Sequence, residues 1–227
     1  MILRIAHFAA LLSLLLTHLS AAAAPAPHVW RIMPVGDSIT EGGATFSNYR
    51  PRLAEKLRAD GITFEFVGTR GTAELRHEGY GGKNIEFLAE NVPAHFAANP
   101  ADIVLLHAGH NHFLEEKPIP GILAATERLI ASLRIVNPGV VVLLAQVIPA
   151  GKLPKYGYIP ELNTALALLA AKLHTPAQPV WLVDQATGFD WRNDTIADHV
   201  HPNSAGAEKM AARWFAALSP IVTTPPK

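Results

Sequence analysis

Cysteine is absent from this chain, which excludes thiol nucleophiles, thiolate metal sites and disulfide cross-links. An exported form must therefore be held together by its core alone. An excess of charge of either sign is also missing: 19 basic side chains face 19 acidic ones, so no field for nucleic acid or an anionic membrane follows from composition. No apolar run reaches the roughly 20 residues needed to span a bilayer. Internal repeats, low-complexity tracts and any sign of a second domain are lacking too. What is present is 227 residues with 49% hydrophobic content, enough for one globular domain with a full core.

The first residues stand apart from that core. Arg4 leads into the apolar run from Phe8 to Leu16 and then into Ala21 to Ala24. One cation, a short apolar stretch and a small-residue cleavage site read as a secretory signal peptide over residues 1–24, cleaved between Ala22 and Ala24, with an N-terminal membrane anchor as the alternative. The expectation is a secreted or periplasmic protein whose domain spans residues 25–227 and which makes no stable membrane insertion after cleavage. Cleavage removes Arg4 and no acid, leaving a formal net charge of −1.

Beyond that point, apolar runs of strand length alternate with segments of helical period, the pattern of a parallel sheet covered by helices on both faces. The runs are Val29 to Val35, Ile62 to Val67, Ile103 to Leu106, Val140 to Ala145 and Val180 to Val183. Ile103 to Leu106 and Val140 to Leu144 are uninterrupted, as strands buried on both faces are. Ile62, Phe64 and Phe66 alternate with Thr63 and Glu65, which suits an edge or a wetter face. Helices are expected around Leu53 and Leu57, from Ile122 to Val136, after Pro160, and from a Ser204 cap through Ala207, Met210, Ala211, Trp214, Phe215 and Leu218. The tail from Pro220 to Lys227 is expected to fray.

Four loops carry residues with chemistry. The first strand runs into Gly36-Asp37-Ser38-Ile39-Thr40-Glu41-Gly42, a turn able to expose a serine hydroxyl beside free backbone N–H groups. Taken alone, Ser38 is as well explained as a helix cap. Asp198-His199-Val200-His201-Pro202 places an aspartate three residues before a histidine, a spacing at which the carboxylate accepts the Nδ1 proton and leaves Nε2 as base. With 11 histidines in the chain a chance match is easy, and His199 lies in the same loop without that spacing. Gly109-His110-Asn111-His112 follows the third strand, where the Asn111 amide can donate to a developing oxyanion. Gly79-Tyr80-Gly81-Gly82 offers a bare backbone N–H to the same oxygen, or simply serves a turn.

Together these blocks resemble the SGNH (GDSL-type) hydrolases. Their GDS block is matched by Gly36-Asp37-Ser38 and their glycine block by Gly82 within His77 to Gly82. Gly109-His110-Asn111 matches their G-x-N-D block in part, and Asp198 to Pro202 matches their D-x-x-H-P block. All four occur in order over nearly the whole mature chain. The resemblance implies a three-layer α/β/α sandwich with a five-stranded parallel sheet in the flavodoxin-like order 2-1-3-4-5. It implies Ser38 as nucleophile, His201 as base and Asp198 as its orienter. The implied oxyanion hole is Ser38 N–H, Gly82 N–H and the Asn111 amide, and no cofactor is called for. Asp37, His110 and His112 stand beside that site. His112 departs from the family's usual aspartate: it either shapes the loop, the favoured reading, or adds a titrating group beside the oxyanion hole. Each block follows an expected strand, the edge where open parallel sheets bind their ligands.

Secretion, the phrase Ile32 to Gly42 and the block His77 to Gly82 look like the superfamily's carbohydrate acetylesterases, such as acetylxylan esterases. The expected substrate is an acylated carbohydrate or another small ester. In the loop from Pro149 to Pro160, Lys152, Lys155, Tyr156 and Tyr158 have a composition suited to contacting sugar. Four alternatives stay open: a lysophospholipase or thioesterase; acyl transfer between sugars; a metal-dependent hydrolase built on His107, His110, His112, His199, His201 and Asp198; and a glycan-binding protein without turnover.

Overall fold

The structure, a computed structural model, describes residues 28–223. The signal-peptide expectation for residues 1–24 falls outside the described residues. Strand β1 (Trp30–Gly36) is followed by a four-residue helix α1 (Ser38–Glu41) and by α2 (Arg50–Ala59). Then come β2 (Phe64–Phe66), the two-residue β3 (Glu78–Gly79), α3 (Ile85–Ala98) and β4 (Ile103–His107). The second half contains α4 (Ile119–Val136), β5 (Val141–Ala145), α5 (Ile159–Leu173), β6 (Val180–Val183), α6 (Trp191–Asp194) and α7 (Ser204–Val222).

All strand pairs are parallel, in the order β2-β1-β4-β5-β6. Counted over the five expected strands this is 2-1-3-4-5. The addition is β3, which pairs with the end of β1 through Val35 to Glu78 and Gly36 to Gly79. Alternate residues of the central strands supply two separate cores. Val104, Leu106, Val142 and Leu144 pack with side chains of α3, α4 and α5. Ile103, Leu105, Leu143 and Ala145 pack with Leu53 and Leu57 of α2 and with Met210, Trp214 and Leu218 of α7. Burial on both faces is why these strands are continuously apolar. The alternating strand β2 lies at an edge, as its pattern indicates.

Three local expectations are corrected. Asn203, not Ser204, caps α7, accepting from the Ala205 and Gly206 N–H groups; Ser204 is the first helical residue, and its hydroxyl accepts from Arg52. The helix does not end before Pro220 but continues to Val222, whose carbonyl accepts from the Trp30 indole. That carbonyl and the burial of Val222 tie the last turn to β1. Helix α3 has no counterpart among the expected helices, because Pro93 lies inside it, a residue that usually ends helices. Its Asn84 cap, accepting from Phe87 N–H, and the buried spacing Ile85, Leu88, Val92 and Phe96 outweigh that proline.

Candidate active site

Every loop that carries chemistry leaves the carboxyl end of the sheet. At the end of β1 a Cβ on Gly36 would lie 2.4 Å from the His107 carbonyl oxygen and equally close to Thr40 Oγ1, so only glycine lets β1 turn here. The Asp37 side chain then accepts from Ile39 N–H at 2.9 Å, and the turn presents Ser38. Across the site, Asp198 accepts from the backbone N–H of Val200 and of His201, which folds the Asp198 to His201 segment into a tight turn. The same carboxylate accepts from His201 Nδ1 at 2.5 Å. With its proton on Nδ1, the ring offers a bare Nε2, and Ser38 Oγ donates to it at 2.8 Å. Burial pushes the Asp198 carboxyl up, but the hydrogen bonds from the His201 ring and the two backbone N–H groups outweigh it and hold the carboxyl below its usual range.

Two further features hold the imidazole. Phe46 stacks on the His201 ring at 4.2 Å between centroids, and Ser47 N–H donates to the Pro202 carbonyl. Phe46 carries no signal in the sequence, where no motif marks an aromatic whose partner lies in a distant block.

The glycine loop reaches Ser38 because β3 pairs with the end of β1, reinforced by Tyr80 N–H donating to the Gly36 carbonyl. The Gly81 N–H is taken by Glu41 Oε2 at 2.6 Å, and Glu41 is in turn paired with Arg70. Gly82, at φ 73°, keeps an N–H without a partner among the described residues, and so does Ser38. Asn111 adopts φ 65° and donates one amide hydrogen to the Lys83 carbonyl at 2.9 Å, leaving the second free. Ser38, Gly82, Asn111, Asp198 and His201 line one open cleft of about 390 Å³, with Phe46, Lys152 and Tyr156 on its walls. A larger groove of about 570 Å³ shares Tyr156 and continues past Leu153 and Trp191, and none of the three linked side chains lines it.

Other sequence candidates are placed elsewhere. His112 does not line the cleft. It is buried between Glu86 and Glu116, with Nε2 3.1 Å from Glu86 Oε2 and Nδ1 3.5 Å from Glu116 Oε2. It sits between α3 and the short 3-10 helix Leu114–Glu116, so an aspartate there would face two carboxylates. His199 packs its ring edge-on against Trp191 at 5.1 Å, and its carbonyl accepts from Gly151 N–H. In the loop expected to contact sugar, Lys152 and Tyr156 reach the cleft, but Tyr158 is a core residue donating to the Gly109 carbonyl. Lys155 lies over the Phe113 and Tyr156 rings. The six metal-ligand candidates therefore do not converge, and among the described residues no three His, Asp or Glu side chains are grouped to hold a metal ion.

Several titratable groups lie beneath the surface of the site. Burial lowers His77 to about 3, helped by Arg50 and Arg70, and lowers His107 to about 4. Each accepts from a backbone N–H, of Gly79 and Ile148 respectively. In the unfolded chain such rings take up a proton near pH 6.5. The unfolded state then binds more protons than the folded state, so stability falls on acidification. Asp37, which burial raises to about 6, and His110, which burial lowers to about 3, are shifted in opposite senses and offset one another in this window. The expected result is a loss of about 1.4 kcal/mol per pH unit for each of His77 and His107 between about pH 6.5 and 5. Urea midpoints measured across that range check it, and a flat profile would contradict it.

A parallel sheet with a serine, histidine and aspartate linked at its carboxyl edge is the build of a serine ester hydrolase. The chain belongs to the GDSL-like lipase/acylhydrolase family, whose family model matches residues 35–209. Among solved structures it is similar to a carbohydrate esterase family 3 protein from Talaromyces cellulolyticus, at 25% identity and TM-score 0.78, covering 87% of this chain and 100% of that one. A family 3 carbohydrate esterase from Clostridium thermocellum is 27% identical with TM-score 0.75, covering 86% and 98% of the two chains. An acetyl xylan esterase at 21% identity and TM-score 0.66, covering 83% and 99%, shares the fold. No curated protein sequence matches the chain. Among the described residues no helix is long and apolar enough to cross a membrane.

Proposed function

We propose that this chain is an exported carbohydrate O-acetylesterase working through an acyl-enzyme, with Ser38 as nucleophile, His201 as base and Asp198 as orienter. The observation that carries the reading is the unbroken chain from Ser38 Oγ to His201 Nε2 and from His201 Nδ1 to Asp198. As Ser38 Oγ attacks the ester carbonyl carbon, its proton moves to His201 Nε2. The carbonyl oxygen becomes an anion that accepts from Ser38 N–H, Gly82 N–H and the free Asn111 amide hydrogen. The imidazolium then gives its proton to the departing sugar oxygen, and the C–O bond breaks to leave acetyl-Ser38. Water, deprotonated by His201, attacks the acyl carbon, and acetate leaves as the proton returns to Ser38.

The acetyl preference and the carbohydrate partner are supported by the modest cleft with Lys152, Asn111 and Tyr156 at its walls, and by the likeness to carbohydrate esterases. Export is supported by the order of residues in the first 24 positions alone. A second reading, a longer acyl or lipid substrate, is favoured by the apolar groove beyond Tyr156. Acetate release from a panel of acetylated polysaccharides, set beside a chain-length series of 4-nitrophenyl esters, tests both. Acetate release with activity falling steeply beyond short acyl chains is expected, whereas preference for long chains would favour the lipid reading.

Asn111 gives a more local test. An amide that meets the oxygen as charge develops acts on turnover, so Asn111→Ala is expected to lower kcat by about 10² to 10³ with little change in KM. Steady-state kinetics on 4-nitrophenyl acetate measure this, and an unchanged kcat would remove Asn111 from the oxyanion hole.

A further inference from the structure

Directly under the nucleophile lie two buried groups that the acyl-enzyme chemistry does not use. Asp37 and His110 are each about 2% exposed or less. Asp37 Oδ1 accepts from Ile39 N–H, but Oδ2 has no hydrogen-bond partner. His110 Nε2 lies 3.1 Å from the Ile148 carbonyl, an oxygen that can only accept, so Nε2 carries the ring's proton. Nδ1 of a neutral ring is then a bare lone pair, likewise unpartnered, and it faces Asp37 Oδ2 across 3.7 Å. With Asp37 ionised and His110 neutral, two buried acceptors would confront each other, an arrangement that native structures avoid.

One proton resolves the conflict. We propose that Asp37 and His110 share a proton between Oδ2 and Nδ1 at neutral pH, so that the pair is uncharged and leaves no negative charge beneath the oxyanion hole. The role is a positioning one: with the proton in place the 3.7 Å separation closes to hydrogen-bond length, which locks Asp37 as the cap of Ile39 and joins the Ser38 turn to the Asn111 loop, which His110 immediately precedes. Burial raises the carboxyl only to about 6 and disfavours a charged ring; the hydrogen bond open only to the protonated carboxyl is what carries it past neutrality.

The groups facing the pair are few. His107 stacks on His110 at 5.9 Å between centroids, and Tyr156 meets it edge-on at 5.4 Å. His201 and Lys155 act on the pair through space, and Tyr49, Tyr156 and Tyr158 lie within electrostatic reach of Asp37. Among these, Lys155 is the fixed cation, and it is held over the Phe113 and Tyr156 rings.

The direct test is on the wild-type chain and does not depend on turnover, so it can fail while the esterase reading stands. An infrared difference spectrum between wild type and Asp37→Asn at pH 7 is expected to show the carbonyl band of a protonated carboxylic acid. If the proton rests on the ring instead, nitrogen-15 spectra will show His110 protonated on both nitrogens. An ionised Asp37 beside an imidazole bearing one proton at pH 7 would overturn the proposal.

Kinetics, which rest on the role given to His201, add a second readout. Asparagine reproduces the neutral pair, since its amide oxygen accepts from Ile39 and its nitrogen donates to Nδ1. Asp37→Asn is therefore expected to keep the acid limb of the pH–rate profile in place and to exceed Asp37→Ala in kcat by about tenfold or more. If Asp37 were ionised, its neutralisation would shift the acid limb to lower pH by about half a unit or more. That shift, or equal activity of the two variants, would count against the shared proton.

Discussion

Ser38→Ala is expected to lower kcat on 4-nitrophenyl acetate by about 10⁴ to 10⁶, the loss seen when the nucleophile of a catalytic triad is removed. The fold should survive. The substitution removes one side-chain hydrogen bond, to His201, whereas the turn itself is built from Gly36, the Asp37 cap and the Gly42 N–H bond to the Ser38 carbonyl. Activity and circular dichroism on the same preparation separate chemistry from folding. Labelling by an organophosphate should disappear along with turnover. Full activity in this variant would remove Ser38 from the mechanism and with it the acyl-enzyme.

His201→Ala should cost nearly as much, because the serine proton then has no acceptor, and the two losses should not add when the substitutions are combined. His199→Ala, two positions away, is expected to retain most activity, since that ring packs on Trp191 and reaches neither Ser38 nor Asp198 in hydrogen-bonding contact. The pair is a sharp control, for both residues share a loop, and only His201 stands three positions from Asp198 and in hydrogen-bonding reach of Ser38. A loss at His199 with survival at His201 would reverse the assignment of the base.

The parts of this site that are legible in the sequence are local in chain. Asp198 and His201 are three residues apart, so the tight turn that joins them is decided by neighbours, and the carboxylate needs little beyond its own backbone N–H groups to find the ring. The uninterrupted runs Ile103 to Leu106 and Val140 to Leu144 likewise declare strands buried on both faces. The edge strand β2 shows its position in the alternation of Phe64, Glu65 and Phe66. Helix α3 is not legible in the same way, because its propensity signal is contradicted by Pro93, and packing against α4 and the sheet, together with the Asn84 cap, decides in its favour.

Sequence by itself indicated the alternating α/β layout, the family resemblance and the four loops that the structure gathers at the carboxyl edge of the sheet. Only the tertiary structure decided which groups remain free to act. Ser38 and His201 are 163 positions apart, and parallel strand order brings them within 2.8 Å. Glu41 takes the Gly81 N–H and leaves that of Gly82, Lys83 turns the Asn111 amide, Phe46 covers the His201 ring, and Glu86 and Glu116 hold His112 away from the cleft. Asp37 faces His110 for the same reason: contacts between distant segments exist only once the sheet has set the loops side by side, and no spacing along the chain encodes them.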